Sequence, residues 1–133
     1  MRYLFSVSLL LLMAIPVPAV DAADGSLGVR ASVPAVCSVT YQSPLEEADG
    51  TIRIEQVREY CNVSGYELYL EYPAGMLAGA TVFIGGATTV LDGSGRNLIA
   101  ASNVATNKVS TFTMQPGAPL EGGLSFALNM QPR

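Results

Sequence analysis

The stretch Tyr66-Glu67-Leu68-Tyr69-Leu70-Glu71-Tyr72 decides the fold class. Extended, it places Tyr66, Leu68, Leu70 and Tyr72 on one side and Glu67, Tyr69 and Glu71 on the other, the period of two that marks a half-buried strand. Asn62 to Gly65 reads as the turn before it, and on the far side of that turn Thr51 to Val57 alternates again through Ile52 and Ile54. Further toward the N-terminus, Ser43 to Gly50 is a polar loop carrying Glu46, Glu47 and Asp49, and Val36 to Gln42 is another strand. Ser26 to Val33 puts Leu27, Val29, Ala31 and Val33 on one face and Ser26, Gly28, Arg30 and Ser32 on the other, until Pro34 interrupts it. In the other direction, Ala80 to Ile84 and Thr88 to Leu91 flank Gly85-Gly86, and Asp92-Gly93-Ser94-Gly95 is the clearest turn signal in the chain. Asn97 to Ala101, Val109 to Met114 and Leu124 to Met130 complete the set, the last two separated by a Pro- and Gly-rich connection from Gln115 to Gly123. No window beyond the leader keeps an i, i+3, i+4, i+7 apolar pattern for three turns. Short strands at regular spacing predict an all-β sandwich with no second domain and no internal repeat.

The N-terminus reads differently. One positive charge at Arg2 precedes an apolar run from Tyr3 to Ile15, and Pro16 and Pro18 then break it. This is the order of charged, apolar and breaker regions in an export signal. The run is well short of the roughly 20 residues that a membrane-spanning helix needs. Val20-Asp21-Ala22 supplies small residues for cleavage, so residues 1–22 are read as a signal peptide and the mature chain as beginning at Ala23; Ala19 is the second choice. The mature chain is expected to be exported and to hold no membrane span. Its two cysteines, Cys37 and Cys61, are expected to pair in an oxidising compartment, and closing that loop contributes roughly 3 to 4 kcal/mol by loop entropy.

The composition excludes several functions. The net charge is −4 and Lys108 is the sole lysine, which leaves no electrostatic footprint for nucleic acid or anionic lipid. The absence of histidine removes the Ser-His-Asp and Cys-His nucleophile arrangements and the commonest metal ligand. Glu46 and Glu47 are neighbours in an extended loop and point apart, unlike a glycosidase pair. Asp92 to Gly95 lacks the repeated carboxylates of a calcium loop, and Gly85-Gly86 lacks the helix and lysine of a phosphate loop. Asn62-Val63-Ser64 matches the N-glycosylation pattern, one that occurs by chance in many proteins. The chain is read as neither an enzyme nor a cofactor binder. A self-contained secreted or periplasmic binding module is the rival reading, with Tyr66 to Tyr72 as a face for carbohydrate.

Two stretches carry a resemblance. Gly25-Ser-Leu-Gly-Val-Arg-Ala-Ser-Val-Pro-Ala-Val-Cys37 is an alternating apolar segment that runs into the first cysteine, and Ile54-Glu-Gln-Val-Arg-Glu-Tyr-Cys61-Asn-Val-Ser-Gly65-Tyr66 is a strand, a second cysteine and a Gly-Tyr segment. Together they resemble the subunits of chaperone–usher fimbriae, the pilins. The chain differs from the family in having Ala31 where a donor strand usually holds glycine, and in ending without an aromatic residue. The resemblance implies an immunoglobulin-like sandwich that is incomplete and is completed by a donor strand. It implies residues 23–34 as the extension and 35–133 as the domain, with Leu27, Val29, Ala31 and Val33 as donor residues. The acceptor groove on the last strand would be lined by Leu124, Phe126, Leu128 and Met130. The implied partners are copies of the chain or related pilins, a periplasmic chaperone and an outer-membrane usher. The implied role is a structural subunit of a surface fibre that supports adhesion, assembled from the periplasm.

Overall fold

A computed structural model of the chain describes residues 28–120 and 122–133. The expected signal peptide, Leu27 of the predicted donor strand and the expected mature terminus lie outside these residues. The strands belong to one compact unit, Val33–Arg133. Residues 28–32 fall in a separate unit and are exposed and outside any strand.

Among the described residues the fold is all-β, as the alternation predicts. The strands are β1 (Cys37–Tyr41), β2 (Leu45–Glu46), β3 (Ile52–Cys61), β4 (Tyr66–Glu71), β5 (Thr81–Ile84), β6 (Ala87–Val90), β7 (Arg96–Ser102), β8 (Thr106–Gln115) and β9 (Ala127–Pro132). They form two antiparallel sheets. One has the order β1-β3-β8-β5-β6, with β2 also pairing with β3; the other has the order β7-β4-β9. The apolar faces meet between the sheets, where Ile54, Val57, Leu68, Leu70, Val82, Phe112 and Met114 are buried. Tyr66, Leu68 and Leu70 are among the most deeply buried side chains, the inward face read from the sequence.

The differences from the sequence reading have local causes. Strand β3 continues four residues past Val57 because a bulge resets its phase. Ile54 stands opposite Phe112 and Val57 opposite Ser110, so one strand advances three residues while the other advances two. Ile52 and Ile54 face inward before the bulge, and Val57, Glu59 and Cys61 after it. A simple alternation rule loses the strand at that step. Strand β8 starts earlier than predicted, at Thr106, because its first residues are polar yet laddered to β3. Strand β2 lies inside the predicted polar loop. The last strand begins at Ala127 rather than Leu124. Residues 28–33 form no strand, which needs a hydrogen-bonding neighbour, and among the described residues no strand pairs with them.

One turn follows from glycine chemistry. Ile84 and Ala87 pair across Gly85-Gly86, whose φ angles of 54° and 83° are both left-handed, as a two-residue hairpin loop requires. Among the described residues, no helix is long and apolar enough to cross a membrane.

Candidate functional site

The sandwich is closed unevenly. On its central strands the inward side chains are sealed: Ile54 is 1 % exposed, and Val57 and Phe112 are 0 % exposed. Along the seam where β1 of one sheet faces β9 of the other, the inward residues Cys37, Val39 and Tyr41 are only half-buried. Leu124 and Phe126, which lead into β9, are half-buried against the same core.

Strand β9 has a partner on one side alone. It ladders to β4 from Ala127 opposite Glu71 to Pro132 opposite Tyr66, and among the described residues no strand pairs with its other edge. In an antiparallel pair the backbone groups of successive residues point to opposite sides. The N–H of Leu128 points away from β4, since it donates to the Tyr41 hydroxyl at 3.3 Å. Met130, two residues on, turns the same way. The side chains of both residues point into the core. The four residues expected to line the last strand therefore share one face, two within β9 and two just before it. Phe126 stacks on the buried Phe112 with ring centres 5.6 Å apart.

The predicted donor residues are placed as follows. Val29 is 84 % exposed, Val33 is 78 % exposed and Ala31 is exposed. The expected disulfide is present. Cys37 and Cys61 are register partners on β1 and β3 and are bonded, tying the seam strand to the closed side of the sandwich. Next to it, the Asn62 side chain holds the entry to β1: its Oδ1 accepts from the Val36 N–H at 2.7 Å and its Nδ2 donates to the Pro34 carbonyl at 2.9 Å. The amide of the glycosylation pattern is thus engaged by two backbone groups.

The tyrosine face proposed for carbohydrate is not a surface. Tyr66 and Tyr72 are buried, and the Tyr72 hydroxyl donates to Asn97 and accepts from the Gly93 N–H. Tyr69, on the outer side, lies under the Arg96 guanidinium at 4.0 Å and donates to Glu67 at 2.7 Å. Hydrogen bonding to Glu67, with some burial, raises the Tyr69 phenol above its ordinary value.

One polar cluster escapes the sequence reading. Glu59 is 0 % exposed, facing the core from β3. It accepts from the Tyr66 hydroxyl at 2.8 Å and from Ser110 Oγ at 3.0 Å, and Lys108 Nζ lies 3.4 Å away. Burial, then the bond to Glu59, raises the Tyr66 phenol above its usual range. For Lys108, burial pulls the ammonium down, but the Tyr66 hydrogen bond and the charge of Glu59 outweigh it and leave the group raised. The available signal was the register: Glu59 and Lys108 are directly opposed on β3 and β8. The cluster is a fully paired buried charge rather than an open site, and among the described residues no group of side chains could hold a metal ion. No family model, curated protein or solved structure matches the chain significantly.

Proposed function

We propose that the chain is a structural subunit of a bacterial surface fibre that assembles by strand addition. In this reading residues 26–33 of one copy dock along the free edge of β9 in the next. One observation carries the reading: among the described residues no strand pairs with the outer edge of β9, which lies above a half-covered apolar seam, and Val29, Ala31 and Val33 alternate on an exposed segment without a ladder partner. The dimensions agree. Eight extended residues span about 26 Å and the six of β9 about 20 Å. The strand order agrees as well, since β1-β3-β8-β5 follows the A-B-E-D order of an immunoglobulin sandwich and β4-β9 the C-F pair, whose missing neighbour is the final strand G. Main-chain hydrogen bonds would give such docking its affinity and the alternate side chains its register. An uncovered edge of this kind invites aggregation, and a chaperone strand would guard it in the periplasm until an usher exchanges it for a subunit's extension. Export through residues 1–22, fimbrial localisation and support of adhesion belong to the same reading, which calls for no cofactor and no catalysis.

The test is polymer length after purified subunits are mixed. Val29→Asp would bring an unpaired carboxylate to a neighbour's apolar seam, a costly burial, so assembly should stop while the subunit itself stays folded. Equal polymerisation of variant and wild type would reject the assignment. A wild-type monomer whose unfolding is independent of concentration would favour the self-contained binding module.

A further inference from the structure

We propose that Tyr41 is a removable clasp that holds the β1–β9 seam shut in the lone subunit and competes with the incoming strand. The inference rests on the docking reading above and adds its regulation. Two observations carry it. The Tyr41 hydroxyl, at the end of β1, accepts the Leu128 N–H at 3.3 Å, and that N–H is one of the edge groups of β9 that an added strand would use. The strands themselves also stand close: Cα atoms of β1 and β9 approach within 8 Å although no ladder joins them. Seating a strand between two others requires about 9 to 10 Å, twice the interstrand spacing. The seam is therefore closed below the width of its occupant, and among the described residues the polar tie across it is a side chain rather than backbone.

A side-chain tie is suited to exchange. It satisfies an edge amide that would otherwise face a half-apolar seam, yet releasing it breaks one hydrogen bond and leaves every ladder of the sandwich intact. The Tyr41 ring packs against the core, so it covers the seam while the hydroxyl holds it. When a strand arrives, its carbonyl takes the Leu128 N–H and the phenol turns to water. The lone subunit is thus biased toward closure, which limits nonspecific edge pairing.

The experiment uses the full chain, kept dilute, and its Tyr41→Phe variant, which preserves the ring. Two quantities are measured: amide hydrogen exchange at Leu128, and the affinity of a labelled peptide with the sequence from Ser26 to Val36. The clasp predicts that Tyr41→Phe speeds Leu128 exchange and tightens peptide binding, each by about fivefold, the worth of one net hydrogen bond. A merely structural tyrosine would leave binding unchanged or weaken it, and either result overturns the proposal. Unchanged Leu128 exchange overturns it as well. If the peptide binds neither protein, the docking reading falls and competition with a strand falls with it, while faster exchange at Leu128 would still identify the tie itself.

Discussion

The closed side of the sandwich and its seam are built from the same kinds of residue but finished differently. On the closed side, β3 is flanked by β1 and β8, and each inward side chain meets the opposite sheet, so even a charged residue is buried there with all its partners in place. On the seam, β9 has one neighbouring strand among the described residues, and the inward residues of β1 remain half-buried. Sealing thus depends on the number of neighbouring strands rather than on local hydrophobicity. Val39 and Val57 are the same residue type on adjoining strands, yet Val57 is fully buried and Val39 is not.

The stacked pair Phe112 and Phe126 spans the two regions and offers the largest effect. Phe112→Ala should cost about 3 to 5 kcal/mol, because its ring is wholly enclosed and leaves a cavity. Phe126→Ala should cost markedly less in the isolated chain and, under the proposed docking, more when a strand covers the seam. Chemical denaturation of each variant, with and without the extension peptide, measures both; equal costs for the two phenylalanines would erase the distinction between the regions. Next in size is the disulfide that joins them. Replacing Cys37 and Cys61 together with serine should lower stability by roughly 3 kcal/mol through the regained freedom of the unfolded chain. Equilibrium unfolding checks the loss, and an unchanged midpoint would show that the seam strand is held by its ladder to β3 alone.

How much of this was legible in the sequence follows from the same contrast. Strands β4, β5, β6 and β7 could be read because regular alternation and glycine turns are local signals, seen in Tyr66 to Tyr72 and in Gly85-Gly86. The second half of β3 could not, because the bulge at Glu55-Gln56 reverses which residues face inward, and a buried glutamate at position 59 contradicts the binary pattern. Its partners Lys108 and Ser110 lie about fifty residues further along the chain and become neighbours only when the register of β3 and β8 is known. The start of β9 was misplaced for the related reason that Leu124 and Phe126 have the alternation of a strand without a ladder. Of the candidate site, the apolar residues on both proposed sides were legible as patterns. The Tyr41 tie was not, since Tyr41 and Leu128 are far apart in sequence and carry no spacing signal.

The buried cluster provides the smallest of these effects and the most discriminating. Lys108→Met removes the cation paired with Glu59 and leaves a carboxylate in the core with two neutral donors, Tyr66 and Ser110. Because the Lys108 side chain is 43 % exposed, solvent already screens part of the pairing, so the expected loss is about 2 kcal/mol, below the 3 to 5 kcal/mol of a fully buried broken pair. The second substitution decides the cause. Glu59→Gln in the Lys108→Met background removes the charge but keeps a carbonyl that can accept from Tyr66, so it should recover most of the loss. If the charge of Glu59 is what Lys108 offsets, the double variant will be more stable than Lys108→Met alone when both are unfolded in denaturant. A double variant less stable than the single one would mean that Glu59 serves the closed side by its hydrogen bonds, with the lysine contributing packing rather than charge.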